Sequence, residues 1–261
     1  MKKILVIGSS GYVCNQYAKD VDYLLNVAGA NTGNFIFQYA VRKLFGENQA
    51  YVNIGIDERH KYADVADSIN DYSYAIIPAA NHLRANADWT GFNSFLERIQ
   101  LPMIVLGLGA QGELHESIDD TTVALNKNKT VSRMCAIFKD KATFIGVRGD
   151  FTADLCASMG LHQVEPLGCP SLLINPSPIL GQQLASKLSR IEDSGCSQPF
   201  AVAAEAPGAL SNNESKKVVE QTFLELAIKT NSYYVQQSGG SATIAFATDF
   251  HHESLKESTW D

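Results

Sequence analysis

Short apolar runs alternate with helix-like segments over about the first 170 residues of this 261-residue chain, and this order constrains the fold most. The predicted strands are Lys3–Ile7, Tyr51–Ile54, Tyr74–Ile77, Met103–Leu106 and Ala142–Val147, and the predicted helices are Phe35–Phe45, Trp89–Ile99, Thr122–Phe138 and Phe151–Met159. Regular alternation of this kind is typical of a parallel sheet with helices on both faces. We therefore predict an α/β fold whose N-terminal lobe is a doubly wound, Rossmann-like parallel sheet.

A change of pattern after Leu172 predicts a second lobe. The segment Asn175-Pro176-Ser177-Pro178 interrupts the alternation, and a helix-like stretch over 181–191 follows it. A further strand (Phe200–Ala204), helix (Ser215–Lys229) and strand (Tyr233–Gln236) then predict a second β-α-β unit. We place the boundary between 1–186 and 187–261. Since a doubly wound domain needs about 100 residues, we expect this second α/β lobe to be short and incomplete.

Composition limits the classes of function. The net charge of −7 argues against nucleic acid as a partner, because nucleic-acid binders normally present a basic face. The five cysteines show no metal-ligand spacing, which favours reduced thiols in the cytoplasm. No stretch approaches the roughly 20 apolar residues of a membrane span. We expect a cytoplasmic protein with no membrane span.

Neither a resident cofactor nor a metal is expected from the motifs. Gly8-Ser9-Ser10-Gly11 follows the first strand, but it lacks the GxGxxG spacing of dinucleotide-binding loops. The six histidines form no HxxxH or HxH set, and Ser171 has no GxSxG elbow around it. These patterns argue against NAD or FAD binding, a structural zinc site and a serine hydrolase.

Two glycine-containing segments are candidate ligand contacts. Asn31-Thr32-Gly33-Asn34 precedes a predicted helix, whose first N–H groups could bind an anion or sugar hydroxyls; a plain helix cap is the alternative. Gly107-Leu108-Gly109-Ala110-Gln111 ends the most apolar strand, where glycines allow close approach of a ligand or of a neighbouring loop. A turn that needs positive φ explains the second segment equally well.

Arg148 is the strongest single candidate, because it directly follows the predicted strand Ala142–Val147 and precedes a helix. Ligands of open α/β sheets bind at the carboxyl ends of the strands, and arginine binds carboxylate or phosphate through two parallel hydrogen bonds. The alternative is a surface ion pair with Asp150 or Asp154. The turn segment Gly168-Cys169-Pro170-Ser171 follows shortly after it.

The order of these segments resembles the polysaccharide pyruvyl transferase family. Asn-Thr-Gly-Asn, Leu-Gly-Leu-Gly-Ala-Gln, Ile-Gly-Val-Arg-Gly-Asp and Gly-Cys-Pro-Ser-Leu occur in the family's order, over about Asn31 to Ile174. The resemblance implies a two-lobed GT-B-like fold and a transferase of exopolysaccharide biosynthesis. Such an enzyme moves the pyruvyl group of phosphoenolpyruvate, its donor substrate, onto two hydroxyls of a sugar or lipid-linked glycan as a ketal.

The resemblance also implies which residues bind substrate. Arg148 is expected to contact the donor, and the other expected site residues are Asn31, Gly33, Asn34, Gly109, Gln111, Pro170 and Ser171. The sequence departs from the family twice: Asn34 stands where aspartate is usual, and an Arg-x-His-Gly-like segment is absent. No catalytic residue is therefore assigned. Two alternatives remain open, namely an inactive sugar- or anion-binding relative and a nucleotide-sugar glycosyltransferase of GT-B-like shape. The expected location is the cytoplasm, including the inner face of the membrane.

Overall fold

The computed structural model describes residues 3–9, 33–56, 58–112, 116–175, 177–193, 201–202 and 213–234. The chain divides into two compact units, Met1–Ser177 and Pro178–Asp261. Asn31, one of the expected site residues, lies outside the described residues.

The first unit is built on a parallel sheet of six strands, as far as the described residues show. The strands are β1 (Lys3–Gly8), β2 (Tyr51–Gly55), β3 (Tyr72–Pro78), β4 (Met103–Leu108), β5 (Ala142–Val147) and β6 (Glu165–Pro166). Their order across the sheet is β2-β1-β3-β4-β5-β6, and every neighbouring pair is parallel. The predicted α/β class and parallel sheet are thus confirmed.

Helices cover both faces of this sheet. They are α1 (Gly33–Phe45), α2 (Tyr62–Asp67), α3 (Thr90–Arg98), α4 (Ile118–Lys127), α5 (Lys129–Lys141) and α6 (Asp150–Ser158). On one face, Val41 of α1 packs with Ile4, Val6 and Ile76 of the strands. The other face carries the larger apolar cluster, to which α2 through α6 contribute. The predicted doubly wound arrangement is therefore present.

The strand order creates a switch point beside β1. The chain runs from β1 to its neighbour β2 and then returns past β1 to β3, which pairs with the opposite edge of β1. In open α/β sheets, ligands bind in the crevice outside the carboxyl ends of the strands at such a point. The loops that follow the strands at this edge are therefore the expected place for a ligand site.

One predicted element is wrong in detail. The helix predicted over Thr122–Phe138 is two helices, α4 and α5, separated by Asn128. The side-chain oxygen of Asn128 accepts hydrogen bonds from the backbone N–H of Thr130 (2.9 Å) and Val131 (3.3 Å). Its amide nitrogen donates to the carbonyl oxygens of Ala85 and Ala87. An N-cap of this kind begins a new helix, because it satisfies N–H groups that a continuous helix would bond internally.

The sequence pattern did not predict three short elements. Helix α2 has six residues, β6 has two, and a 3₁₀ helix spans Pro170–Ile174. Segments of this length carry no readable helical or strand period. The 3₁₀ helix contacts α1, so it brings the predicted Pro-Ser turn to the same side of the sheet as that helix.

The second unit contains the predicted β-α-β motif. Its described elements are α7 (Leu180–Asp193), β7 (Ala201–Val202), α8 (Asn213–Lys229) and β8 (Tyr233–Tyr234). Strands β7 and β8 pair in parallel. The predicted domain boundary, between 186 and 187, falls within α7. Among the described residues, no helix combines the length and apolar character needed to cross a bilayer.

Candidate functional site

The side chain of Arg148 joins the carboxyl ends of three strands. It follows β5, and its Nε donates to the carbonyl oxygen of Gly107 in β4 at 2.9 Å. Its Nη2 donates to the carbonyl oxygen of Ala79, just after β3, at 3.4 Å, and its Nη1 donates to Oδ1 of Asn81 at 3.2 Å. The guanidinium is half-buried and lies over the ring of Phe37 from α1, with 5.1 Å from Cζ to the ring centroid.

A surface ion pair does not account for this arginine. The ion pairs among the described residues do not include one between Arg148 and Asp150 or Asp154. The acceptors that hold the guanidinium are instead two carbonyl oxygens and one amide oxygen, all neutral. The positive charge of Arg148 is therefore oriented by the protein without being neutralised by these contacts.

The described hydrogen bonds use three of the five N–H groups of the guanidinium. Nε and Nη2 form the side-on edge of the group, and both donate to carbonyl oxygens. Of the five N–H donors of an arginine, three are used within the described part of the chain, which leaves one on Nη1 and one on Nη2. An anion would consequently approach Arg148 end-on, through the two terminal nitrogens.

The loop after β3 is bonded to the end of β4. The N–H of Gly109 donates to the carbonyl oxygen of Ala80 at 3.0 Å, and the N–H of Leu83 donates to the carbonyl oxygen of Gly109 at 3.1 Å. The N–H of Gln111 donates in turn to the carbonyl oxygen of Leu83 at 2.9 Å. The predicted residues Gly109 and Gln111 thus lie beside the loop that carries Asn81. Gly109 is buried, whereas Gln111 is exposed.

His82 anchors this loop from inside the protein. The residue is 4% exposed, and its ring stacks on Trp89 with centroids 4.8 Å apart. Its Nδ1 accepts a hydrogen bond from the N–H of Ala80 at 3.1 Å, while its carbonyl oxygen accepts one from Nε1 of Trp89 at 2.9 Å. Burial, with the charges of Arg84 and Arg148, lowers the pKa of His82 to about 4. The imidazole is therefore neutral at physiological pH, with its proton on Nε2.

Gly107 and Pro170 fit together at the end of β4. Gly107 has a φ of +69°, and a Cβ at this position would lie 2.6 Å from Cγ of Pro170 and closer still to Cδ. Both the positive φ and the close packing require glycine. Pro170 is buried, and the hydroxyl of half-buried Ser171 donates to Sγ of Cys169 at 3.1 Å. The predicted turn is thus packed against the strand end whose carbonyl holds Arg148.

Helix α1 covers the same edge of the sheet. It begins at Gly33-Asn34, and both of these residues are half-buried. One turn further along, Phe37 contacts Arg148, and Gln38 donates from Nε2 to the carbonyl oxygen and the hydroxyl of Ser9, both at 2.5 Å. Ser9 directly follows β1. Helix α1 therefore links the ends of β1 and β5 across the switch point.

The structure thus groups several predicted residues around Arg148 and adds others. Gly109 lies directly beside it, since a Cβ there would be 3.1 Å from Cδ of Arg148. Asn81, His82 and Phe37 were not predicted as site residues. Position gave a usable signal for Asn81 and His82, because they follow β3 just as Arg148 follows β5. Phe37 carried no such signal, since an aromatic residue in an amphipathic helix is usually core.

These features define a class of protein. A Rossmann-like parallel sheet has, at its carboxyl edge, a half-buried arginine whose charge is not neutralised by its contacts in the described structure, and this edge is where such folds bind ligands. The comparison with known proteins then identifies the family. The sequence model described as "Polysaccharide pyruvyl transferase" matches residues 31–240, and the chain belongs to the polysaccharide pyruvyl transferase family. A comparison with curated individual proteins gave no significant match.

Proposed function

We propose that this protein transfers the pyruvyl group of phosphoenolpyruvate onto two hydroxyls of a sugar, within a polysaccharide or its precursor, and releases inorganic phosphate. Membership of the family, which implies pyruvyl transfer in general, carries this proposal. The donor, the ketal product and a GT-B-like arrangement of two lobes are the parts that we add.

The chemistry of Arg148 supports phosphoenolpyruvate as the donor. This substrate carries a carboxylate and a phosphate, and either can accept two parallel hydrogen bonds from one guanidinium edge. The end-on edge of Arg148 retains one N–H on each terminal nitrogen in the described structure. A charge that is desolvated and oriented beforehand binds an anion more strongly than a mobile surface cation does.

The proposed reaction balances without a further reactant. The CH₂ carbon of phosphoenolpyruvate takes up a proton and becomes a methyl group, and C2 accepts the oxygen of one sugar hydroxyl. The second hydroxyl oxygen then bonds to C2 as the C2–O–phosphate bond breaks. The hydrogens of the two hydroxyls balance the proton on the methyl group and the proton on the released phosphate. General acid–base catalysis at the enol carbon is required for the first step.

The proposed partners follow from the reaction. The acceptor is a sugar with two hydroxyls placed to close a five- or six-membered ketal ring, either free in a glycan or on a lipid-linked precursor. We place the reaction in the cytoplasm, where phosphoenolpyruvate is made, and at the inner face of the membrane when the acceptor is lipid-linked. The free thiols of Cys135, Cys156 and Cys169 fit a reducing compartment.

Replacing Arg148 tests this function. We expect Arg148→Ala to lower kcat/KM for phosphoenolpyruvate by about 100-fold or more, because it removes a charged, bidentate contact to the donor. The measurement is phosphate release from phosphoenolpyruvate in the presence of a panel of glycans with suitable hydroxyl pairs. Arg98→Ala is the matched control, since Arg98 forms an exposed pair with Asp67 at 3.5 Å and should leave turnover unchanged.

Ligand binding separates this proposal from its alternatives. In a thermal-shift panel we expect phosphoenolpyruvate to raise the unfolding temperature of the wild-type protein and not that of Arg148→Ala. Stabilisation by UDP-sugars but not by phosphoenolpyruvate would instead favour a glycosyltransferase. Binding of phosphoenolpyruvate without any phosphate release over the glycan panel would favour an inactive anion-binding relative. Equal turnover in Arg148→Ala and the wild type would contradict the site.

A further inference from the structure

The acceptor at Nη1 of Arg148 differs from the other two acceptors. The carbonyl oxygens of Gly107 and Ala79 belong to strand ends, and the backbone of the sheet fixes them. Asn81 contributes an exposed side chain from a loop instead. A side-chain acceptor orients an arginine only if its own position is fixed. The loop after β3 therefore has to be rigid at Asn81.

Hydrogen bonds on both sides of Asn81 supply this rigidity. Ala80 is held through its carbonyl oxygen by the N–H of Gly109 and through its own N–H by Nδ1 of His82. His82 is held through its carbonyl oxygen by Trp89, on which its ring also stacks. The N–H of His82 donates back to the carbonyl oxygen of Ala80 at 2.8 Å, which closes a tight turn around Asn81. The backbone of Asn81 is thus fixed by groups in the protein interior.

Gly109 provides the space in which Asn81 and Arg148 meet. A Cβ at this position would lie 2.5 Å from Oδ1 of Asn81 and 3.1 Å from Cδ of Arg148. Any other residue at 109 would push one of the two side chains away. In contrast, a Cβ at Gly149, directly after Arg148, would have no atom within 4 Å. The requirement for glycine at 109 is therefore specific to this pair of side chains.

We propose that Asn81, held in place by buried His82, is a positioning residue that orients the guanidinium of Arg148 so that its end-on edge faces an anionic substrate. The identity of that substrate as phosphoenolpyruvate rests on the proposed function; the orientation itself does not. Through its Oδ1, Asn81 restricts rotation of Nη1 while adding no negative charge. An aspartate would orient the group equally well but would cancel the charge that the anion needs.

The orientation can be measured without any ligand. In protein with ¹⁵N-labelled arginine, NMR reports rotation about the Cζ–Nη bonds of Arg148. We expect severalfold faster Nη1 rotation in Asn81→Ala than in the wild type, and slow rotation in Asn81→Asp. Asn126→Ala, which truncates an exposed asparagine in α4, should leave the Arg148 signals unchanged. Identical Nη1 rotation in Asn81→Ala and the wild type would overturn the positioning role.

Binding of phosphoenolpyruvate then tests the purpose of this orientation. By calorimetry we expect the Kd to rise about tenfold or more in Asn81→Ala, the effect of one hydrogen bond to a charged group. We expect a larger rise in Asn81→Asp despite its slow Nη1 rotation, because the new carboxylate competes for the guanidinium. Thermal unfolding should be nearly unchanged in both variants, since the side chain at 81 is exposed.

The glycine variants give an independent test. We expect Gly109→Ala to weaken phosphoenolpyruvate binding and to speed Nη1 rotation, whereas Gly149→Ala should do neither. Adding Asn81→Ala to Gly109→Ala should cause little further loss, because both changes break the same contact. If the wild type fails to bind phosphoenolpyruvate, the proposed function fails, and the rotation measurements still decide the positioning role. If Arg148→Ala abolishes binding but Asn81→Ala and Gly109→Ala do not weaken it, the function stands and this inference fails.

Discussion

At the scale of single residues, the buried imidazole of His82 links the candidate site to stability. The ring lies between Trp89 and Phe92, with its centroid 6.1 Å from that of Phe92, and no carboxylate of the described residues is among the groups that shift its pKa. Burial and the nearby arginine charges lower its pKa from 6.5 to about 4. The folded protein therefore resists protonation of His82 over a pH range in which the unfolded chain accepts the proton.

We expect this difference to make stability depend on pH. Because the folded pKa lies below the unfolded one, the stability contribution is complete above about pH 6.5 and is lost as the pH falls towards 4. The shift of the pKa from 6.5 to about 4 corresponds to about 3 kcal/mol of unfolding free energy. Urea unfolding of the wild type and of His82→Asn at neutral and acidic pH measures this contribution to the free energy of unfolding. Asparagine places its oxygen near the position of Nδ1, so the bond from the Ala80 N–H is retained.

As the pH falls, we expect the free energy of unfolding to decrease less in His82→Asn than in the wild type. His162→Asn is the matched control, since His162 is exposed and should leave the wild-type pH dependence unaltered. Parallel pH profiles for the wild type and His82→Asn would show that the imidazole does not remain neutral on folding.

The sequence predicted part of the candidate site and missed the rest for a physical reason. Arg148 was identifiable because it stands at the carboxyl end of a predicted strand, where open α/β sheets bind ligands. Asn81 also follows a strand, but asparagine at such a place is an ordinary turn residue, so its position alone did not mark it as a site residue. Its contact with Arg148 depends on the pairing of β3 with β4 and of β4 with β5. Strand order across a sheet cannot be read from the periodicity of one chain.

At the scale of elements, the fit between the end of β4 and the 3₁₀ helix Pro170–Ile174 is open to direct test. We expect Gly107→Ala to lower the free energy of unfolding by about 3 kcal/mol, because it adds a clash with Pro170 to the strain of a positive φ. Gly160→Ala is the matched control. Gly160 has a φ of +82°, but its nearest neighbour to a Cβ is Nζ of Lys139 at 3.7 Å, so only about 1 kcal/mol is expected there.

A second substitution separates the clash from the strain. In a Pro170→Ala background the clash is relieved, so Gly107→Ala should then cost only as much as Gly160→Ala does. Chemical denaturation of the four combinations gives the coupling free energy, which we expect to be about 2 kcal/mol. Additive effects of the two substitutions would contradict the packing of Pro170 on Gly107.

The bounds of helix α1 could be predicted from the sequence, but its buried face could not be predicted in full. The apolar periodicity located α1 within two residues, and the same spacing predicts a buried face formed by Phe35, Tyr39, Leu44 and Phe45. In the structure Phe35 is buried, whereas Leu44 is 51% exposed and polar Gln38 is buried. Gln38 is buried because it bonds to Ser9 after β1, a tertiary contact that overrides its polar character. Hydrophobicity alone could not place this residue inside.

At the scale of the whole molecule, the first unit contains the described elements that hold Arg148. The six described strands of the larger sheet and both of the apolar clusters described above lie within Met1–Ser177. The described residues that contact the Arg148 side chain, Phe37, Ala79, Asn81 and Gly107, lie there too. A unit with its own sheet and its own core on both faces meets the requirements for independent folding.

We therefore expect a fragment of residues 1–177 to unfold cooperatively and to retain the hindered Nη1 rotation of Arg148, as judged by circular dichroism and ¹⁵N NMR. A fragment of residues 1–186 should be no more stable, because the added residues end in the middle of α7, where Leu184 is 54% exposed.

The 1–177 fragment also tests which unit binds the donor. If 1–177 folds and binds phosphoenolpyruvate but releases no phosphate with any glycan, donor binding belongs to the first unit, and catalysis needs groups from 178–261. Non-cooperative unfolding of 1–177 would instead mean that the core of the first unit depends on the rest of the chain.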